Sequence, residues 1–265
     1  MMLSEKLLRV QSILKDMGSV VVAFSGGIDS SLVLKIAHDH LGDRAVGITA
    51  VSPTFPDIEL DTARRIGVEI GARHIIVETD QLELDEFVRN DAQRCYHCKT
   101  DLYRVLGRLQ RDQNLAAIVD GTNVDDLGDD RPGITAAREW KVRSPLLEAG
   151  LTKTDVRTLA KDLGLSNWAK PATACLSSRI PRGVAITREK LTRIEQAEAL
   201  LFTEGFQQFR VRDHGEIARI EFDPEGIARA VEPERQKRVT AGFKKLGFQF
   251  VTVDLEGYRR GSANA

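Results

Sequence analysis

Val20-Val21-Val22-Ala23-Phe24-Ser25-Gly26-Gly27-Ile28-Asp29-Ser30-Ser31 is the stretch whose reading decides the fold. Its apolar run suits a strand of the parallel type, buried on both faces, and it breaks into a glycine pair and then a helix-forming sequence. A strand, a tight turn and a helix N-terminus in that order aim several backbone N–H groups at one spot. The helix dipole adds partial positive charge there, so the spot suits a phosphate chain. Gly26 and Gly27 admit positive φ and let the backbone approach a ligand closely. Ser25, Ser30 and Ser31 add hydroxyl donors, and Asp29 can cap the helix or hold a metal ion.

The loop is not a Walker A loop, which needs four residues between its glycines and a lysine before the Ser/Thr. Ser-Gly-Gly-x-Asp-Ser in a strand-to-helix context instead resembles the PP-loop of ATP pyrophosphatases, enzymes that cut ATP between the α and β phosphates. The resemblance implies ATP and Mg²⁺ as cofactors, with Ala23, Phe24, Ser25, Gly26, Gly27, Asp29, Ser30 and Ser31 around the nucleotide.

Outward from this loop, a helix over 4–15 precedes the strand, and Leu32, Leu34, Ile36, Ala37 and Leu41 continue the helix that follows it, ending near Gly42. Strands are predicted over 44–51, 73–79 and 116–120, with helices over 57–71 and 83–90 and an amphipathic helix after residue 100. This alternation predicts an α/β fold, a doubly wound, mostly parallel sheet with right-handed crossovers. Ligands collect at the carboxyl ends of such strands, which makes Thr49 a candidate wall for adenine and ribose. Gly121, Thr122 and Asp125, at the end of the 116–120 strand, suit phosphate or Mg²⁺ handling, although Asp125 and Asp126 equally suit helix-start capping. Asp129 to Gly133 reads as a turn, 134–140 as a short helix, and Thr152-x-x-Asp155 as a capping box.

Beyond residue 187 the character changes. Leu191, Ile194, Ala197 and Leu201 recur at helical spacing, two alternating runs over 208–212 and 217–222 meet through Asp213-His214-Gly215, and a helix over 234–246 leads to a strand over 248–253. A boundary near residue 180 is therefore expected, with a nucleotide-binding domain over 1–180, a small α+β domain over 181–265 and a loose tail at 261–265.

At 265 residues the chain has room for that division, and its 42% apolar and 29% charged composition is that of a globular protein. No apolar run reaches the length of a membrane span and the N-terminus is not signal-like, so a cytoplasmic location is expected. The net charge of −1 argues against a protein that blankets nucleic acid. Three cysteines in a chain this large do not make a disulfide framework; Cys95-x-x-Cys98 with the distant Cys175 points to metal or sulfur chemistry.

Read together, the PP-loop, Arg94-Cys95-x-x-Cys98-Lys99 and Pro171-Ala172-x-x-Cys175-Leu176-x-Ser178-Arg179 resemble the LarE family of ATP-dependent sulfur transferases, which build the nickel-pincer nucleotide cofactor. The resemblance covers nearly the whole chain. It implies a pyridinium-3,5-dicarboxylate mononucleotide substrate, a small-molecule nucleotide whose carboxylate ATP adenylates and sulfur converts to a thiocarboxylate. Cys175 matches the sulfur-donor position, with Lys170 and Arg179 near it in sequence as cations for a thiolate. One version of the family sacrifices this cysteine's sulfur. Another holds a 4Fe-4S cluster on three cysteines, which Cys95, Cys98 and Cys175 would match, leaving one iron without a protein ligand. Zinc with His97, a persulfide-relaying Cys-x-x-Cys pair and three unrelated buried thiols are the alternatives. The small domain would bind substrate through Ser178, Arg179, Glu198, Arg210 and Arg212. Arg210 and Arg212 share one face of a strand, where they grip a phosphate or form a solvent-facing row. The family also suggests a homo-oligomer, a hexamer built from trimers, with sulfur-donor and downstream cofactor-pathway proteins as partners. The rivals are a PP-loop tRNA thiolase, kept open by the basic run Arg179 to Arg193, an ammonia-dependent NAD or GMP synthetase-like ligase, and a nucleotide-sensing module.

Overall fold

The computed structural model describes residues 2–127, 132–171 and 173–259. The expected turn residues Asp129, Asp130 and Arg131, Ala172 of the Pro-Ala motif and the tail at 261–265 lie outside the described residues. The chain runs α1 (Leu3–Met17), β1 (Val20–Ala23), α2 (Ile28–Leu41), β2 (Ala45–Val51), α3 (Asp57–Ile70), β3 (Arg73–Glu78), α4 (Asp85–Val88), α5 (Arg94–Asp112), β4 (Ala117–Val119), α6 (Pro132–Glu139), α7 (Pro145–Glu148) and α8 (Lys153–Asp162). It continues with α9 (Arg188–Thr203), β5 (Phe209–His214), β6 (Ile217–Phe222), α10 (Pro224–Ala230), α11 (Pro233–Lys245) and β7 (Phe250–Val253). Two bodies result, one of Met1–Gln81 with Gln93–Thr173, the other of Leu82–Ala92 with Ala174–Ala265.

In the first body the four strands are parallel in the order β3-β2-β1-β4. Because side chains alternate along a strand, β1 serves both faces. Val20 and Val22 join a core with Val10, Leu32, Leu34, Ala63 and Val156, while Val21, with Val46 and Ile48, packs on Tyr103, Leu106 and Ala136. Helices therefore cover both sides, as the uninterrupted apolar β1 requires. Strand order runs outward from β1 through β2 to β3 and then jumps to β4 on its other side. The carboxyl ends of β1 and β4 thus flank the crevice where such sheets bind ligands.

The capping box at α8 is formed. Thr152 Oγ1 accepts from Asp155 N–H at 3.2 Å, and Asp155 Oδ2 accepts from Thr152 N–H at 3.0 Å and from Lys6 Nζ at 2.6 Å, tying α1 to α8. Burial pushes the Asp155 carboxyl up, but the hydrogen bonds from Lys6 and Thr152 outweigh it and hold its pKa below the ordinary value. A depressed carboxylate stabilises the fold above its unfolded pKa, and that contribution is lost as pH falls through the folded one. Asp155→Asn is expected to cost about 1 kcal/mol at neutral pH, with the gap to wild type closing below about pH 4 in denaturant titrations.

In the second body β5 and β6 are antiparallel and β7 joins β6 in parallel. The core gathers Ala197, Leu201, Phe206, Val211, Ile220, Phe222 and Phe243. A helix that the sequence pattern did not suggest, α10, is started by Asp223 Oδ1 accepting from Gly226 N–H at 2.7 Å. Residues Leu82–Ala92 are fastened here by Asn90, fully buried, whose Nδ2 donates to the carbonyls of Pro181 at 2.8 Å and Val184 at 3.0 Å. The helix expected over 83–90 is only the four-residue α4. Among the described residues, no helix is long and apolar enough to cross a membrane.

Candidate active site

The glycine loop lies between β1 and α2 as the sequence predicts, and its own side chains brace it. Ser30 Oγ donates to the Gly27 carbonyl at 3.1 Å and accepts from Ser25 N–H at 3.2 Å. Phe24 prolongs the ladder, its N–H donating to the Ile48 carbonyl at 2.9 Å. Ser25 is exposed, whereas Ser30 and Ser31 are buried. Gly26 has φ +71°, and a Cβ there would meet the Ala63 backbone at 2.7 Å, so this position is closed to other residues twice over. Gly121 is pressed against the same loop from the β4 side: a Cβ would stand 2.7 Å from Ser30 N.

Asp29 does not cap α2. Its carboxylate accepts from Asn123 Nδ2 at 3.1 Å and forms an ion pair with Lys153 Nζ. Lys153 N–H in turn donates to Asp125 Oδ2 at 2.7 Å, so Asp125 serves the start of α8, and Asp126 completes a capping box with Asn123. Thr122 N–H donates to Asp120 Oδ1 at 3.1 Å. The structure thus gathers Ser25, Gly26, Gly27, Asp29, Ser30, Ser31, Gly121, Thr122 and Asp125 at one sheet edge. It adds Asn123 and Lys153, which the sequence marked only as loop and helix start. Lys153 places a cation beside a loop already suited to anions.

Thr49 is differently used. It is buried, donating through Oγ1 to the Phe24 carbonyl at 2.7 Å, and His74 Nε2 lies 2.7 Å away and must donate to it. Burial and then the charge of Arg64 hold the His74 pKa below its usual value, consistent with a neutral donor ring. The Thr49 hydroxyl is therefore spent on joining β1, β2 and β3.

Cys95 and Cys98 open α5 itself, whereas the sequence placed the helix only after residue 100; three residues apart on its first turns, they share a face. Arg94 Nη2 lies 3.9 Å from Cys95 Sγ. Lys99 stacks over the Tyr103 ring, and although burial alone would lower its pKa, Tyr103, Asp120 and Cys98 together raise it. Burial, followed by Asp120, pushes the Tyr103 hydroxyl up to about 12, and it donates to Asp120 Oδ2 at 3.2 Å. None of the three cysteines is buried, which disposes of the inert-core reading. Among the described residues, no group of three or more His, Cys, Asp or Glu side chains is gathered for a metal ion.

In the second body Cys175 is exposed and begins a 3-10 turn, Leu176–Arg179, with its Sγ 3.0 Å from Ser177 Oγ. Arg179, 1% exposed, donates to the carbonyls of Ala174 at 2.7 Å and Cys175 at 3.1 Å and pairs with Glu198 at 2.9 and 3.0 Å. Ser178 Oγ donates to the Cys175 carbonyl at 2.8 Å, and Arg212 donates to the Ser178 carbonyl at 2.8 Å while pairing with the buried Glu221 at 2.7 Å. Arg210 lies over the Tyr258 ring at 4.9 Å, and burial, then repulsion from Arg179, lowers its pKa. Arg210 and Arg212 are thus no solvent-facing row. With Arg179 they bring three guanidinium groups to the cysteine turn, Arg179 paired with Glu198 and Arg212 with Glu221. Lys170, expected beside Cys175, has its ammonium held by Glu59 at 2.8 Å in the first body, and the Arg179 guanidinium is matched by Glu198, so both cations are compensated by carboxylates.

The asparagine synthase family model matches residues 9–115, a span that contains the glycine loop and the Cys-x-x-Cys pair. An uncharacterised Synechocystis protein is 43% identical over 99% of this chain and 98% of its own, and a Methanocaldococcus jannaschii protein is 30% identical over 98% and 99%. The pyridinium-3,5-bisthiocarboxylic acid mononucleotide synthase of Lactiplantibacillus plantarum is 40% identical over 99% of this chain and 95% of its own. With this likeness running through both bodies, the chain belongs to the LarE family of PP-loop proteins, that of the pyridinium-3,5-bisthiocarboxylic acid mononucleotide synthases.

Proposed function

We propose that this protein is an ATP-dependent sulfur transferase that converts a carboxylate of pyridinium-3,5-dicarboxylate mononucleotide to a thiocarboxylate in nickel-pincer cofactor synthesis. The observation that carries the reading is the Cys175 turn, an exposed thiol whose backbone carbonyl is gripped by the arginine that anchors a cluster of guanidinium groups. A carboxylate is a poor electrophile, so its oxygen first attacks the ATP α-phosphorus and pyrophosphate departs with the bonding pair. Backbone N–H groups of the glycine loop and Lys153 stabilise that leaving charge. Asp29 and Asp125, which flank Lys153, are the carboxylates that would hold Mg²⁺, which would neutralise charge on the phosphates. Arg210 holds the substrate's own phosphate, while Arg179, fixed by Ser178 and Glu198, and Arg212, paired with Glu221, add to the positive field there.

Sulfur then attacks the acyl adenylate and AMP leaves. When Cys175 is the donor, its thiolate forms a thioester. A base next removes the Cα proton and the Cβ–S bond breaks, releasing the thiocarboxylate and leaving dehydroalanine. Cys95, Cys98 and Cys175 are also the three thiolates that a 4Fe-4S cluster would take, although among the described residues they are not gathered into one group. Such a cluster supplies an exchangeable sulfide. A homo-oligomer, a sulfur-supplying partner and a cytoplasmic location complete the proposal.

Oxygen-free protein given Mg-ATP and the dicarboxylated nucleotide is expected to yield AMP and a product in which one oxygen is replaced by sulfur, read by mass spectrometry; AMP without a sulfur product would overturn it. Iron and acid-labile sulfide near four each per chain would assign sulfur to the cluster. Loss of one sulfur and two hydrogens from the protein assigns it to Cys175.

A further inference from the structure

Asn167 belongs to none of the motifs, yet it is 3% exposed and reaches the glycine pair, its Nδ2 donating to the Gly26 carbonyl at 2.9 Å and to Ser31 Oγ at 2.9 Å. A carbonyl oxygen only accepts, so the nitrogen must face Gly26. The other amide atom, Oδ1, is buried with no hydrogen-bond partner. Burying an unmatched acceptor is unfavourable, so the fold tolerates it for what the donor half does. The segment around Asn167 is fastened on both sides. Ser166 N–H and Oγ donate to Glu69 at 2.8 and 2.5 Å, Arg157 donates to the carbonyls of Trp168 at 3.0 Å and Lys170 at 3.3 Å, and Lys170 pairs with Glu59.

In a trans peptide the C=O and N–H point in opposite directions across the plane. Fixing the Gly26 carbonyl on Asn167 therefore turns the Gly27 N–H to the other side, where it donates to the Oγ of the exposed Ser25 at 3.4 Å. A peptide between two glycines rotates at little steric cost. Rotated, it would present a carbonyl oxygen where a phosphate needs a donor. We infer that Asn167 is a positioning residue for ATP, a latch that holds the Gly26–Gly27 peptide with its N–H toward the phosphates. The inference rests on the glycine loop being the ATP site.

Asn167→Asp keeps the shape, removes both donors and sets a carboxylate oxygen against the Gly26 carbonyl; Asn167→Ala removes the donors alone. Calorimetry with Mg-ATP is expected to show affinity weakened about tenfold or more in Asn167→Asp and several-fold in Asn167→Ala. Both variants lose buried hydrogen bonds, so the melting midpoint without ATP is expected to fall, but in the folded variants affinity for the dicarboxylated pyridinium nucleotide should stay as in wild type, and amide exchange over residues 24–30 should quicken. Wild-type ATP affinity in the folded alanine variant, or substrate affinity falling together with ATP affinity, would overturn the latch. Failure of the wild-type protein itself to bind Mg-ATP would instead reject the ATP reading.

Discussion

Cys175→Ala is expected to lower sulfur-product formation by about three orders of magnitude or more while ATP binding stays at the wild-type level. The expectation separates chemistry from structure because of how the turn is held. Arg179 Nη1 and the N–H and hydroxyl of Ser178 all grip the Cys175 carbonyl, not its sulfur. Cys175 is exposed and its sulfur lies near Ser177 Oγ, so truncation beyond Cβ removes the proposed nucleophile and leaves the anchors. Calorimetry with Mg-ATP and an anaerobic product assay on the same preparation measure the two halves independently. Continued multi-turnover thiolation by Cys175→Ala would remove this residue from the mechanism. Cys95→Ala then distinguishes the two sulfur sources: one full turnover retained points to the sacrificed cysteine, whereas iron and activity lost together point to the cluster.

What could be read from the sequence was whatever short-range pattern decides. The β1 run and the glycine pair needed only local chemistry, and the Thr152-x-x-Asp155 box is formed because both partners sit within one turn. The start of α5 was not legible, since its first turn carries Arg94, Cys95 and His97 in place of an apolar period, and Gln93 provides no side-chain cap. Residues contributed by tertiary contact left no local mark. Asn90 brings Leu82–Ala92 to the second body through carbonyls some ninety positions away, and Asn167 reaches Gly26 across 141 residues. Arg210 and Arg212 illustrate the same limit from the other side. Alternation put them on one face, but whether that face met water was decided by Glu221, Glu198 and Tyr258.

Gly121→Ala is expected to lower kcat/KM for ATP about a hundredfold. Alanine is acceptable to the backbone at this position, whose φ lies outside the left-handed region, so the whole effect comes from what the new methyl group meets. That is Ser30 N at 2.7 Å, the Asp29 carbonyl carbon at 2.8 Å and Asp29 Cβ at 3.0 Å, largely main chain with no flexible tip to swing aside. Relief requires the β4 loop or the first turn of α2 to move by several tenths of an ångström. Either motion shifts the N–H groups proposed to bind the phosphates and disturbs Asp29, which is held by Asn123 and Lys153. Gly18→Ala provides the contrast. Its φ is +73° with nothing within 4 Å of a Cβ, so it is expected to lose about 1 kcal/mol of stability while ATP kinetics stay unchanged. If Gly121→Ala turns over ATP as wild type does, the first turn of α2 is not where the phosphates sit, and the anion site must be sought elsewhere on the sheet edge.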